Sequence, residues 1–411
     1  MRHFLQPVGA NTLYLLAVNV VNALAGFGLA ALLAHSLGDA GFGQFTFAFT
    51  WILTLLTFVE FGISTVLVRD LALSPADTPR YLPNSVAVKW LLSAPIAIAL
   101  IFFAGGITPF DSRQAAAALQ WGGLFLLAGL AYSSYTAVFK AQQRMGLILL
   151  TTLPGQLAAV GGVAALLTAK TSLAAIVIWL GISQWLQLLI AHRLLVRQPG
   201  PRPEFAAISK SFMWRLLKLA WPFALAGLLA ALQLRASTLL LAYLAGDQPL
   251  GWYSAAGRIG EAARQLPGAF FVALLPALTA ISRRQQLARS LKLSQAGLLA
   301  FSLAAALAIV LLAAPLINFI YGPGFQPAIP MLQVLALGLI PALQNSLLVV
   351  FLYSRGDERF VNRLIAAGIA INLSLCLGFI PQWGGLGAAL ALLAADSLLY
   401  LPYRWRAARY A

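Results

Sequence analysis

A chain of 411 residues that is 61% hydrophobic and only 9% charged does not have the polar material of a water-soluble fold, in which about 25% of residues are charged. The net charge of +16 would point to a nucleic-acid partner in a soluble domain, but composition excludes that class here and the charge needs another explanation. Apolar runs of roughly 20 residues follow one another with short breaks, the length that crosses a bilayer core as a helix. Backbone groups in lipid must be satisfied within the spanning structure, which leaves helices or closed barrels. Leu and Ala dominate and period-two alternation is absent, so the fold class is an all-α integral membrane protein.

In chain order, the apolar pattern predicts about twelve transmembrane helices, at 12–36, 42–68, 84–104, 114–139, 146–169, 173–195, 216–243, 252–281, 293–320, 328–353, 361–381 and 385–403. The first run is too long for a signal-peptide core and has no small-residue cleavage site, so it is expected to remain as the first helix. With the N-terminus inside, roughly 22 of the 27 Lys and Arg fall on the cytoplasmic side, among them Arg69, Arg80, Lys89, Lys140 and Arg144. Arg113 and Lys170 fall outside. This asymmetry predicts two cytoplasmic termini and explains most of the net charge as a topology signal.

The longest predicted loop carries Pro199, Pro201 and Pro203 among basic residues and reads as a linker. It divides the chain into an N-terminal six-helix lobe at 1–198, a cytoplasmic linker at 199–215 and a C-terminal six-helix lobe at 216–411. Segments on either side match. Gly38-Asp39 followed by Gly43, Phe45 and Ala48 is echoed by Gly246-Asp247 followed by Gly251, Tyr253 and Ala256, each pair 208 residues apart. Lys140 and Arg144 are echoed by Arg355 and Arg359. A tandem repeat with an even helix count gives two parallel six-helix bundles related by an axis along the membrane normal, with a central cavity between them.

Ionisable residues inside the membrane are costly and mark candidate functional positions. Six stand out within the predicted helices: Glu60, Arg235, Arg258, Glu261, Arg264 and Asp396. Arg258, Glu261 and Arg264 recur every third residue and share roughly one helix face. Counted from the turn near Asp247, Arg235, Arg258 and Glu261 fall at similar depth, with Arg264 nearer the midplane. An unpaired Arg in hydrocarbon would cost at least ~2.5–3.5 kcal/mol, so these side chains face one another or a wet cavity. Two readings stand: a structural network in which Glu261 ties helices together, or a positively charged site for a phosphate or pyrophosphate head group, which the guanidinium fork suits.

Glu60 and Asp396 have no partner visible in the sequence; either could bind a coupling proton or cation, or be hydrogen-bonded between helices. Asn19 with Asn22, and Gln184 with Gln187, share helix faces and either line the cavity or join helices. His3, His35 and His192 lack metal-ligand spacing, so no metal site and no cofactor are expected. Cys376 is the only cysteine and has no internal disulfide partner.

Several segments in order along the whole chain are similar to the oligosaccharide (O-antigen type) flippases of the MOP superfamily, which also includes lipid II flippases and MATE multidrug exporters. In the first half these are LGDAGFGQF (37–45) and FGISTVLVRDLA (61–72). In the second they are LAGDQPLGWYSAAGRI (244–259), LPALTAI (275–281), FIYGPGFQPAIPMLQVLA (319–336) and IPQWGGLGAALA (380–391). The resemblance implies two six-helix lobes around a cavity that opens alternately to each face, and a polyprenyl-pyrophosphate-linked sugar as cargo. In that family the seventh helix often has an Arg followed two residues later by an Asp. Arg235 matches, but Ser237 stands at the Asp position, which puts a coupling role there in doubt. The two extra C-terminal helices of the lipid II flippases have no counterpart, which weighs against lipid II as cargo.

The expected function is therefore a non-enzymatic flippase. It would move lipid-linked oligosaccharide to the outer leaflet of the bacterial inner membrane, for cell-surface polysaccharide. Its partners would be the lipid-linked cargo, membrane lipids, and a polymerase or other polysaccharide-assembly proteins. The expected substrate site is Arg235, Arg258, Glu261 and Arg264, with Glu60 and Asp396 as coupling candidates. The alternative is a cation-coupled MATE-type exporter, although a surplus of intramembrane Arg suits an anionic cargo better. A membrane glycosyltransferase or polymerase is disfavoured, because the predicted outer loops are short and offer only Asp39, Asp111 and Asp247 as carboxylates.

Overall fold

The computed structural model describes residues 2–110, 112–198, 202–265, 267 and 284–410, and every extended element among them is a helix. In chain order these are α1 (Arg2–Glu60), α2 (Ile63–Leu73), α3 (Thr78–Ile107), α4 (Arg113–Gln120), α5 (Gly122–Ala141), α6 (Met145–Thr168) and α7 (Leu173–Arg197). They continue with α8 (Lys210–Ala245), α9 (Asp247–Gln265), α10 (Arg284–Tyr321), α11 (Ala328–Ser354) and α12 (Glu358–Ala408). Among the described residues eight helical spans are long and apolar enough to cross a membrane, or nine if the bent α8 is taken as one span.

Two of these spans, at the start and end of the chain, are 51 residues long and so exceed one bilayer crossing. Each is broken by a glycine in a conformation that side chains disfavour: Gly38 (φ 70°) in α1 and Gly384 (φ 54°) in α12. Each therefore supplies two arms, at the places where the sequence predicts a turn, and the architecture agrees with about twelve helices. The part of the predicted helix 252–281 beyond Gln265, with Gly268, Pro276 and LPALTAI, lies outside the described residues apart from Pro267. Asp111, Pro199, Pro201 and Arg283 also lie outside them.

Contacts group the chain into two compact units, Met1–Ser36 with Gln44–Arg235, and Leu37–Gly43 with Ala236–Ala411. In the first unit, buried Ile63, Val66 and Leu67 of α2 pack with Leu82 and Val86 of α3, Tyr135 and Val138 of α5, and Phe212, Leu216 and Ala220 of α8. The start of α8 thus belongs to this core, and the chain passes from the first unit to the second within α8, after Arg235. The linker is itself anchored. The Asn84 side chain donates to the Ala207 carbonyl (2.9 Å) and accepts from the Ser209 N–H (2.8 Å), while the Glu204 N–H donates to the Pro79 carbonyl (3.2 Å). Helix α8 begins at Lys210, six residues before the predicted start, once these bonds have set its direction.

The predicted helix 42–68 is not continuous. Phe61 (φ 50°) and Gly62 (φ 70°) both adopt left-handed backbone and separate α1 from α2. A Cβ at Gly62 would lie 2.4 Å from that of Phe223, so α8 approaches the chain closely at this break.

The second unit holds the two copies of the Gly-Asp repeat against each other. Gly38 and Gly246 (φ 70° and 89°) each turn the chain, and the following Asp accepts a hydrogen bond from the next backbone N–H. Asp39 takes that of Ala40 at 2.8 Å and Asp247 that of Gln248 at 2.9 Å. Five residues beyond each turning glycine the copies cross. A Cβ on Gly43 would sit 1.9 Å from the Asp247 carbonyl oxygen, and one on Gly251 would sit 2.2 Å from that of Asp39. The matching contacts on both sides are those of a local two-fold relation, and only glycine leaves room for them.

Candidate functional site

Glu60 closes α1 immediately before the break at 61–62. One of its carboxylate oxygens accepts from the Ser64 N–H (3.1 Å) in the first turn of α2, where unpaired backbone donors favour an anion. The other partner is one that the sequence reading missed. Lys89, assigned from its position to the cytoplasmic charge, is fully buried in α3 and donates to Glu60 (3.0 Å), Ser64 Oγ (3.0 Å) and Ser133 Oγ (2.8 Å). Ser133 donates in turn to the second Glu60 oxygen (2.7 Å). The three ammonium protons each have an acceptor, so of the two readings left open for Glu60 the described contacts are those of a carboxylate bonded between helices, in a closed tetrad. A lysine 29 residues away on another helix leaves no periodic signal, and one that could reach the interface by extending its side chain is indistinguishable from a topology residue.

Arg235 lies in the same unit. It donates to the Leu53 carbonyl (2.9 Å) and to Thr57 Oγ1 (2.9 Å), both uncharged acceptors on α1. Ser237, two residues on, belongs to the second unit and sits in a buried, neutral trio. The Asn372 amide donates to Ser237 Oγ (3.3 Å), and the Cys376 thiol donates to Asn372 Oδ1 (3.2 Å).

The remaining candidates are in the second unit. Arg258 and Glu261 are exposed on α9, and no ion pair reaches either one among the described residues. Arg264, three residues further on, is partly exposed and donates through one Nη to Asp396 of α12 at 3.2 Å. The structure thus gives Asp396, read as partnerless, a cation from the predicted substrate site. The pair is open: Arg264 and Asp396 retain 32% and 18% of their side-chain exposure. From α11, the buried Asn345 amide donates to the Asp396 backbone carbonyl (2.7 Å), while Asn345 Oδ1 has no hydrogen-bond partner among the described residues. Tyr321 OH and Ser254 Oγ are likewise buried without partners among them.

Two of the other polar candidates, Asn22 and His192, join helices. Gln156 donates to Asn22 (2.9 Å), and Tyr135 OH bonds His192 Nδ1 (2.9 Å). Gln187 is buried against Gly155. A groove of about 370 Å³ over the 61–62 break is lined by Phe58, Phe61, Leu92, Trp214 and Trp221 with Lys218 at its edge, a lining that suits hydrocarbon rather than a charged head. No group of three or more His, Cys, Asp or Glu fit to hold a metal occurs among the described residues.

Outside the membrane spans, the turn between α11 and α12 has its own clamp. Arg406 donates to both oxygens of Asp357 (2.5 and 3.2 Å) and Tyr410 OH adds a third bond (3.1 Å). The Arg406 bond, followed by that from Tyr410, holds the Asp357 carboxyl below its ordinary range.

Comparison with known proteins gives this arrangement a family. A family described as "Polysaccharide biosynthesis protein" matches residues 8–282. A protein of Escherichia coli (strain K12) described as "Putative O-antigen transporter" is 24% identical over 396 residues, covering 95% of this chain and 94% of its own length. Two solved structures share the fold. The lipid II flippase MurJ in an inward closed conformation aligns with a TM-score of 0.79 at 14% identity, over 97% of this chain and 87% of its own. An inward-facing multidrug resistance MATE family transporter of the MOP superfamily gives 0.74 at 15% identity, over 96% and 95%. The chain is a multi-pass membrane protein that belongs to the polysaccharide biosynthesis protein family, with the fold of the MOP-superfamily transporters.

Proposed function

We propose that the protein is a flippase that carries a polyprenyl-pyrophosphate-linked oligosaccharide across the bacterial inner membrane, from the cytoplasmic to the outer leaflet. The observation that carries this reading is the charge pattern of α9 in a chain of this family. Arg258, Glu261 and Arg264 share one helix; Arg264 is paired with Asp396, and no ion pair reaches Arg258 among the described residues. Arg258 thus exposes a guanidinium beside a second one held by a single bond, and a pyrophosphate is the anionic part of such a cargo. Arg258 and Arg264 bind it through paired N–H donors, and Glu261 orients the guanidinium groups. The sugar crosses along a polar path while the polyprenyl chain stays in lipid. The site is exposed to each face of the membrane in turn. Both termini are cytoplasmic in this reading, as the Lys and Arg asymmetry requires.

Of the two coupling candidates, Asp396 keeps the role. Glu60 is held by Lys89 and two serines, which supports a structural part instead. The likeness to MATE transporters supports a second reading, export of a small cationic molecule, but that cargo would have to approach the basic face of α9.

The test is transport of a fluorescent lipid-linked oligosaccharide in proteoliposomes. Each lost charge-assisted contact is worth about 1.5–3 kcal/mol, so Arg258→Ala and Arg264→Ala are expected to lower transport or affinity roughly 10- to 100-fold. Undiminished transport by correctly inserted variants would remove the pyrophosphate site. Transport of cationic dyes but not of the glycolipid would establish the MATE-type alternative.

A further inference from the structure

The contact between Arg264 and Asp396 has the form of an exchange rather than of a fixed bridge. It is a single bond of 3.2 Å between partly exposed groups, whereas a guanidinium and a carboxylate held permanently tend to close a shorter, two-bond fork. The second observation is independent. Asn345 already donates its amide to the backbone carbonyl of residue 396, yet its Oδ1 is a buried acceptor with no donor among the described residues. An ionised carboxylate has no hydrogen to give it, whereas a protonated one has. Asp396 thus has a cation for its charged form, and Asn345, bonded to the same residue's backbone, carries an acceptor left unused among the described residues.

We propose that Asp396 is a proton-binding site whose occupancy alternates with that of the cargo's anionic head on Arg264. This deepens, and rests on, the reading of α9 as the pyrophosphate site. With no cargo, Asp396 is ionised and holds Arg264. When a pyrophosphate oxygen takes the guanidinium, the carboxylate loses its counter-charge and accepts one proton from water, and the resulting O–H donates to Asn345 Oδ1. Release of the head returns Arg264 to Asp396 and the proton to water on the side then open. No bond other than O–H is made or broken, and one proton binds for each anion bound.

The charged and titratable groups that bear on the pair support this order. Arg264 faces Asp396 from α9, and Tyr403 bears on it from its own helix. The described contact from α11 is the neutral Asn345. Glu261 and Arg264 both bear on Tyr253 of α9. Among these groups Arg264 is the cation that Asp396 would lose to the cargo.

The experiment uses the full-length protein in nanodiscs with a polyprenyl pyrophosphate as the probe. Binding is measured across pH, and infrared difference spectra are recorded on addition of the probe. Wild type should bind more tightly as pH falls, by up to about tenfold per pH unit, and should gain the band of one protonated carboxyl. In Asp396→Asn the band should be absent and the binding independent of pH and tighter, because the amide does not compete for Arg264. Asp396→Glu should retain both signals. Wild-type binding that is independent of pH and brings no carboxyl band would overturn the exchange and leave the α9 site standing. Absence of probe binding at every pH would overturn both.

Discussion

The two intramembrane ion pairs are built from similar groups in opposite ways. Lys89 in the first unit has no exposure and three acceptors, and its partner Glu60 is bound by two serines as well, one through its backbone N–H. Arg264 in the second unit keeps about a third of its exposure and touches Asp396 through one nitrogen, beside an acceptor left unused. A buried charge is tolerable only when its partners are complete, so the first pair is rigid and any change in it is costly. The second pair is incomplete by the same measure. An incomplete pair at a partly open position is one that another anion can enter. On the exchange proposed above, the difference separates a joint between helices from a site that changes partners.

The strongest way to break this comparison is to remove half of the sealed pair. Glu60→Ala leaves Lys89 buried and uncompensated, with an expected cost of about 3–5 kcal/mol, visible as loss of monodisperse protein and a lower unfolding temperature in detergent. Adding Lys89→Met should restore much of that loss; if the single variant is as stable as wild type, the sealed pair is not a joint. Next in size is the glycine crossing of the second unit, which tests whether that unit is rigid apart from the Arg264 site. Gly43→Val places atoms against the Asp247 carbonyl and should cost about 1–3 kcal/mol, read by the same thermal assay.

Asp396→Asn should change stability least among the intramembrane substitutions, by ~1 kcal/mol after allowance for the pair's exposure. A loss as large as that of Glu60→Ala would make the two pairs alike and end the distinction. The smallest effect belongs to Asp357 at the α11–α12 turn, whose pKa is depressed in the folded state. Its clamp contributes fully above the ordinary carboxylate pKa and is lost as pH falls through the lower folded value. The difference in unfolding temperature between wild type and Asp357→Asn should therefore be steady near neutral pH and disappear at the acid end.

Much of the architecture was legible in the sequence because it depends on local composition. A helix in lipid needs about 20 apolar residues, and the turns that interrupt the runs are marked by Gly38, Gly246 and Gly384. The 208-residue repeat was legible as well, although not the fact that its copies lie against each other through Gly43 and Gly251. The break at 61–62 was missed because Phe61 carries no turn signal; its left-handed backbone accompanies the Glu60 cap and the close approach of Phe223. For the candidate site, the charged positions were identifiable as costly, but their partners were not. Glu60 and Asp396 both read as solitary, one with Lys89 on a neighbouring helix and the other with Arg264 132 residues away.

By itself, then, the sequence determined that this chain spans a membrane many times, where its helices turn, that it is built as a repeat, and which residues are too polar to lie in lipid unattended. Each of these follows from the solvation of single segments. Which acid meets which base, and whether the meeting is sealed or open, was decided only by the tertiary structure. Depth and rotation of one helix against another are set by packing over the whole interface, and a charge finds its partner only after that packing has placed it.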